Sequence, residues 1–536
     1  MRLVDLLEER PDDESTPAVF VGDLEMSRAA LRRSATALAD VLRTVGVRPG
    51  QPVAVMLPSG AEVISAMFGA WTAEAVYVPL NPRTSDDEIA HLVEAVAPAA
   101  IVTLPQWADR HTAGALPIVV AATAPGADTP STSPAASTSD PAAASTSDPA
   151  AASTEIGWAE AVPGRRAPDV PAHDGDIALV QFTSGTTGRP KPVLLRHSGY
   201  LALLEPVLRK LVGDKAAGSL AARKAPMPNL IPTSMSLSAG IYNVLFAFRV
   251  GAPVVILEPF TPVSFATAVA RHGIRSTVLP PAAMNMLTDD PAVTSVEPLR
   301  YVRGITAPLS PLRARMFRDK FGVTVLNCYG QTEIGGEIVG WNAADAREFG
   351  ESKLGSIGRP HAGVIPRFVG PDGNDVPEGE QGELHVRTPA VSAGYADGSA
   401  LGDRITPDGW FRTGDIARID AEGFLWIEGR VSDMINRGGL KVFPGEVEEV
   451  IRLSPEVADC AVVGVPDDRL GEVPWAFIVP REGTTFDAAA LREAARAKLV
   501  PYKVPARFVE IDELPRTEVG KVRAGDLVRL ATQPTG

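Results

Sequence analysis

The stretch "IALVQFTSGTTGRPK", Ile177 to Lys191, decides how the chain is read. Its opening "IALVQF" is an apolar run suited to a buried strand. The remainder, Thr183 to Lys191, holds two glycines, four hydroxyl residues and two cations, a composition that suits no hydrophobic core. A strand that opens into Thr-Ser-Gly-Thr-Thr-Gly gives a loop whose backbone N–H groups and hydroxyls can converge on an anion. Glycine allows an approach that a Cβ would block, and Lys191 adds a point charge suited to phosphate. The spacing departs from the Walker A pattern G-x-x-x-x-G-K-[ST], which disfavours an ordinary P-loop ATPase. Read alone, the loop is either a phosphate cradle or a flexible connector.

Outward from this stretch, the texture is α/β. "PVAVML" (Pro52–Leu57), "AAIVTL" (Ala99–Leu104), "APVVIL" (Ala252–Leu257), "RSTVLP" (Arg275–Pro280) and "VTVLN" (Val323–Asn327) read as strands between helical segments. "SDDE" at Ser85–Glu88 is a capping box that opens a helix towards Ala97. Strands alternating with helices predict a largely parallel sheet covered on both faces. After about Gly355 the pattern alternates and turn residues multiply, which predicts a β-rich subdomain over about 355–430. The end of the chain reads as a small α+β unit, 433–536, beyond a boundary at "GRVSD", Gly429–Asp433. The main domain is thus 1–430. Within it, Thr129–Glu155 repeats the unit "PAAASTSD" and carries no large apolar side chain, so a disordered loop is expected over about 125–156.

Bulk properties exclude several classes. A chain of 536 residues exceeds one ordinary core. Only Cys328 and Cys460 occur, which argues against a disulfide scaffold and suits a reducing cytoplasm. The start "MRLVDLLEER" lacks a basic n-region and an apolar h-region, and no apolar run is long enough to span a bilayer. The net charge of −14 argues against a broad nucleic-acid surface. His91, His111, His173, His197, His272, His361 and His385 show no metal-ligand spacing. The region around Ser238 has no G-x-S-x-G elbow, so a serine hydrolase has no support.

"FTSGTTGRPK" resembles the phosphate-loop signature of the adenylate-forming superfamily, which includes acyl- and aryl-CoA synthetases, peptide-synthetase adenylation domains and beetle luciferases. Further segments match in order: "NCYGQTE" (Asn327–Glu333), "GELHVRTPAVSAGY" (Gly382–Tyr395), "GWFRTGDIARID" (Gly409–Asp420), "GRVSDMINRGGLKVFPGEVEE" (Gly429–Glu449) and "LPRTEVGKV" (Leu514–Val522). The resemblance covers nearly the whole chain apart from the Ala/Ser/Thr/Pro segment. It implies a large α/β N-terminal domain and a small mobile C-terminal lid. It also implies conversion of a carboxylic acid and ATP to acyl-AMP and pyrophosphate, followed by transfer to a thiol. Two anions must meet, so such a site needs cations and oriented dipoles.

The resemblance assigns Thr183, Ser184, Gly185, Thr186, Thr187, Gly188 and Lys191 to the β- and γ-phosphates. Thr332 falls to the α-phosphate and Glu333 to Mg²⁺. Tyr329 stacks on adenine, with Asn327 near its amino group and Thr306, Ala307, Pro308, Cys328 and Gly330 around it. Asp415 takes the ribose hydroxyls, a task suited to a carboxylate's two oxygens, and Arg430 adds a donor. Lys521 bridges the carboxylate and the α-phosphate. Ser432 stands at the hinge, and Arg437, Gly438 and Gly439 face CoA. Taken singly, each of these has a plainer reading, such as a turn aspartate in "TGD" or a solvated lysine in "VGKV". The ordered set reverses that.

Four features depart from the family pattern. Pro192 follows Lys191 where glycine is usual, and it pushes Lys191 towards an extended conformation. Thr306 stands where glycine is common, and Ser432 where Lys or Asp is usual. "PTSMSLSAG" (Pro232–Gly240) lacks the His or aromatic residue often found at the acyl gate. Ser238 falls on or near the position where amino-acid-activating members place an Asp, which argues against an amino-acid substrate. Met235, Ser236, Ser238, Ala239, Ile334, Gly335 and Gly336 are then the acyl-pocket candidates, and their small or apolar character suits a bulky hydrophobic acid. The expected protein is a cytoplasmic, Mg-ATP-dependent acyl-CoA synthetase, a monomer or homodimer. The alternative is an acyl-AMP ligase that passes its product to a carrier protein or partner enzyme.

Overall fold

The computed structural model describes residues 1–8, 16–108, 110, 116–122, 155–183, 190–212, 226–307, 309–399, 401–516 and 522–532. Ile177–Thr183 is a strand whose first five residues are buried. It belongs to a seven-stranded sheet in the order Gly157–Glu160, Ile118–Ala122, Ala100–Thr103, Pro52–Met56, Val76–Pro79, Ile177–Thr183, Lys191–Arg196. The inner strands run parallel, and the two edge strands are antiparallel to their neighbours.

Both faces of this sheet are covered, as a continuous apolar strand requires. Successive side chains point to opposite faces. Val53 and Val55 therefore join one core with Phe68 and Trp71 of the helix Ala61–Thr72. Ala54 and Met56 join another with Ile89, Leu92, Val93 and Val96 of the helix Asp86–Val96. That second helix starts at the expected N-cap: the Ser85 side chain accepts from the Glu88 N–H, which is one half of the box.

The other strands predicted from sequence are present, trimmed at their ends. They are distributed over further sheets rather than one. Asn229–Ile231, Val254–Ile256, Pro17–Val21 and Leu24–Ser27 form a four-stranded sheet, and Ser276–Leu279, Tyr301–Gly304 and Thr324–Asn327 a parallel three-stranded one. The antiparallel sheets of the later chain start before Gly355, with Tyr329–Gln331 against Gly336–Gly340. A four-stranded antiparallel sheet follows, from Ile365–Val369 to Leu425–Arg430. The C-terminal part is a mixed five-stranded sheet with the helices Pro444–Ile451, Ala488–Arg496 and Ala524–Thr532.

The repetitive segment lies outside the described residues up to residue 154. Just beyond it, Ile156 is buried, with its N–H donating to Ser34 Oγ at 2.9 Å.

Candidate functional site

Strand edges bring the expected residues together. Thr183 ends one strand and Lys191 begins the next, and the two are cross-strand partners on either side of the glycine-rich loop. Ser184, Gly185, Thr186, Thr187 and Gly188 lie outside the described residues, as do Pro308 and Lys521. Pro192 sits in the outermost strand of its sheet, where a residue without an N–H is tolerated. Its carbonyl accepts from the Ala396 N–H at 2.7 Å. Lys191 is therefore held extended and exposed, with its ammonium 5.4 Å from the Tyr395 ring centre.

The centre of the site is Asp415. The register of the antiparallel strands Phe411–Ile419 and Leu425–Arg430 pairs it with Arg430. Asp415 is only 3% exposed, and three donors converge on its carboxylate. Arg430 Nε donates to Oδ1 at 2.8 Å; the Tyr329 hydroxyl and Gln331 Nε2 donate to Oδ2 at 2.5 and 2.7 Å. Burial first, and then the adjoining carboxylate, push the Tyr329 phenol well above its ordinary pKa, so it stays a neutral donor. The Arg430 guanidinium loses solvation by burial, but Asp415, Tyr329 and Asp433 together outweigh this and raise its pKa.

Gln331 and Arg404 complete the site, and neither was singled out from sequence. Gln331 lies inside the "NCYGQTE" motif, which was its one signal. Nothing in the spacing marks Arg404. Its guanidinium donates to Glu333 Oε1 at 2.5 Å, to Gln331 Oε1 at 2.8 Å and to the Thr413 carbonyl at 3.2 Å. It also stacks 4.6 Å from the Phe411 ring centre. Arg404 thus ties Glu333 to the Asp415 cluster and neutralises the carboxylate expected to meet a metal.

The residues expected around adenine are ordered by close backbone packing. At Gly330, an added Cβ would sit 1.8 Å from the Gly336 carbonyl oxygen, so only glycine fits there. Asn327 ends its strand beside Gly304, and among the described residues its buried Oδ1 has no hydrogen-bond partner. Thr306 adopts φ +71°, a left-handed backbone that is unfavourable for a β-branched residue and explains why glycine is common there. Ala307 N–H turns back to the Ile305 carbonyl at 2.9 Å. The Cys328 Sγ donates to the Gly304 carbonyl at 3.3 Å, and burial raises the thiol's pKa, which makes it a structural rather than a reactive cysteine.

Behind this wall, Arg303 and His361 grip Glu337. Arg303 Nη2 contacts Glu337 Oε2, and His361 Nε2 lies 3.0 Å from Oε1. Burial works against ionisation of Glu337, but Arg303 and then His361 outweigh it and hold its pKa at about 2.

The acyl-pocket candidates divide. Ser236, Ser238 and Ala239 keep some exposure, whereas Met235 and Ile334 are wholly buried in the main core. Ser432 is exposed just beyond Arg430, its hydroxyl donating to Asp433 Oδ1 at 2.7 Å. Gly438 and Gly439, at φ +60° and +89°, form the two-residue turn between Ile435–Arg437 and Leu440–Val442. The Arg437 guanidinium is occupied, donating to the Tyr502 carbonyl at 2.6 Å.

Among the described residues no helix is long and apolar enough to cross a membrane, and no group of three or more His, Cys, Asp or Glu could hold a metal ion. Two surface cavities, of about 350 and 430 Å³, are lined by Ile511, Pro515 and Arg529 and by Arg367, Phe368 and Trp410 among others, away from the Asp415 cluster.

Comparison with known proteins gives the family and the fold. Residues 7–396 match the AMP-binding enzyme family and residues 446–521 the AMP-binding enzyme C-terminal domain. The chain is 30% identical over 514 residues to a feruloyl-CoA synthase from Amycolatopsis sp, covering 96% of this chain and 95% of that protein. It is 32% identical over 536 residues to an indoleacetate–CoA ligase from Aromatoleum aromaticum, covering 97% and 96%. The crystal structure of ATP-bound MatB from Rhodopseudomonas palustris shares the fold, with a TM-score of 0.81 at 24% identity over 99% of each chain.

Proposed function

This chain belongs to the AMP-binding enzyme family, and on that premise we propose how its residues carry the reaction. The enzyme is an adenylate-forming acid–thiol ligase. A hydrophobic carboxylic acid and ATP give acyl-AMP and pyrophosphate, and the thiol of CoA then displaces AMP. The observation that carries the assignment of residues is the buried Asp415 carboxylate with Tyr329, Gln331 and Arg430 converging on it.

In this reading Asp415 accepts the ribose hydroxyls and Arg430 donates beside it. Tyr329 faces the adenine ring, and the unpartnered Asn327 Oδ1 accepts from the adenine amino group. A buried acceptor without a partner costs about 1–3 kcal/mol, which this contact would relieve. Thr306, Ala307, Pro308, Cys328 and Gly330 wall the base. Thr183, Ser184, Gly185, Thr186, Thr187, Gly188 and Lys191 hold the outer phosphates, and Thr332 the α-phosphate. Lys521 stabilises the charge that builds where carboxylate meets α-phosphate.

One carboxylate at the edge of a phosphate site is a donor set that Mg²⁺ accepts, because it takes its remaining ligands from phosphates and water. Glu333 is that carboxylate, and Mg²⁺ would supply charge neutralisation on the phosphates. Arg404 is paired with that carboxylate, so Mg²⁺ binding would require this ion pair to open or be shared.

We further place the division of the chain at 1–430 and 433–536, with Ser432 as the hinge that turns the small domain between half-reactions. Arg437, Gly438 and Gly439 then lie on the CoA side, where the exposed two-glycine turn offers backbone to the approaching thiol substrate. The low cysteine content supports a cytoplasmic location.

The test is a panel of carboxylic acids assayed for pyrophosphate release with and without CoA, followed by single turnover. Acyl-AMP is expected to accumulate without CoA and to decay when CoA is added. Accumulation without CoA-dependent decay would move the acceptor role to a carrier protein or partner enzyme.

A further inference from the structure

The sequence ascribes the smallness of Gly335 and Gly336 to a substrate that needs room. The structure gives that smallness a different cause. Tyr242 lies on the helix Ser238–Val250 one turn beyond Ser238, and so on the same face. Its ring is packed against Gly336: a Cβ added there would sit 2.9 Å from Tyr242 Cδ2 and 3.2 Å from Cε2. The same Cβ would lie 3.7 Å from Leu203 Cδ1, and one on Gly335 would lie 3.4 Å from that atom. The two glycines thus admit Tyr242 and Leu203. Tyr242 is 6% exposed and part of the main core, together with Met235 and Ile334. The residues expected to line a deep pocket are packed against one another.

Gly336 follows Glu333 and Ile334 through one short turn. That turn rises only about 2 Å per residue. The strip from Thr332 to Gly336 is therefore short, and it ends on an aromatic ring. We infer that Tyr242 is the end wall of the acid pocket and restricts this enzyme to compact carboxylic acids, a short chain or a single ring system. This inference rests on the adenylation reading above. It concerns the size of the acid, not the chemistry at its carboxylate. The ring makes the wall; the Tyr242 hydroxyl, which has no hydrogen-bond partner among the described residues, does not enter the argument.

The experiment measures pyrophosphate release by wild type, Tyr242→Phe and Tyr242→Ala with hexanoate, dodecanoate, benzoate and 4-phenylbenzoate. The readout is the ratio of kcat/KM for the compact to the extended member of each pair, taken within one variant so that partial loss of folded protein cancels. Forcing surplus atoms against a packed wall discriminates by about tenfold or more. Wild type and Tyr242→Phe should show that preference, and Tyr242→Ala should level or reverse it. Should the alanine variant not fold, Tyr242→Leu, which shortens the wall but keeps it apolar, must move the ratio in the same direction. Equal use of both sizes by wild type, or an unchanged ratio once the ring is removed, overturns the inference and leaves the adenylation reading intact. No pyrophosphate release with any acid overturns the adenylation reading itself.

Discussion

The half of the site proposed for the nucleotide and the half proposed for the acid are built in opposite ways. Around Asp415 each contact is a directed hydrogen bond between functional groups, on strands whose register sets the spacing. Around Gly336 the contacts are steric, and the deciding atoms are ring carbons of Tyr242 against backbone. A polar half specifies a ligand by donors and acceptors, an apolar half by the volume left over. The first tolerates little change in residue type. The second tolerates changes of type but not of size.

The largest effect should come from the polar half. Lys521→Ala is expected to lower acyl-AMP formation about 10²-fold or more, as for loss of a donor at a developing charge. Thioester formation from supplied acyl-AMP should suffer much less. Equal loss of both half-reactions would remove Lys521 from the adenylation step.

Glu337 tests whether the two halves are separate, because it sits next to Gly336 yet belongs to a polar network. Glu337→Gln breaks a mostly buried pair with Arg303 and should destabilise the fold by about 3 kcal/mol at neutral pH. Its pKa is depressed in the fold, so its stabilisation is present above about 4.5 and fades as pH falls towards about 2. Urea unfolding should show the gap between variant and wild type closing across that window. A gap independent of pH would mean that the glutamine disturbs packing rather than charge.

Asp415→Asn keeps the shape and removes the charge. It should raise the KM for ATP about tenfold to 10²-fold with a smaller change in kcat, since charged hydrogen bonds contribute about 1.5–3 kcal/mol each. A fall confined to kcat would contradict a ribose role.

Arg404→Ala removes the partner of Glu333. Freed of a competing cation, Glu333 should bind metal more tightly, and the Mg²⁺ concentration needed for half-maximal ATP binding should fall about tenfold, within the range of a charge-assisted bond. A rise instead would show that Arg404 positions Glu333 rather than competing for it.

The smallest effect is at Thr306, where glycine should relieve left-handed strain and stabilise the protein by about 1 kcal/mol. A shifted urea midpoint would register this, and unchanged stability would show that the threonine side chain finds compensating contacts.

Much of this molecule was legible before its structure. Apolar runs located the strands, and the capping box at Ser85 located a helix start, because both depend on residues adjacent in sequence. The ordered motifs named Asp415, Tyr329, Glu333 and Arg430. They did not reveal that Arg404 neutralises Glu333, because an ion pair between distant segments leaves no spacing to read. Nor did they reveal that Ile156 is buried against the distant Ser34.

Short ordered runs of residue types were enough to give the family and the layered α/β fold, and they nominated the groups proposed to meet the nucleotide. Phosphate, ribose and adenine demand particular donors and acceptors, and these appear as residue types in short ordered runs. Only the folded chain reveals that Tyr242 packs on Gly336 and that Arg404 pairs with Glu333. Free volume and ion pairing depend on which side chains from distant segments converge, and Tyr242 meets Gly336 only once the helix and the strand have packed together.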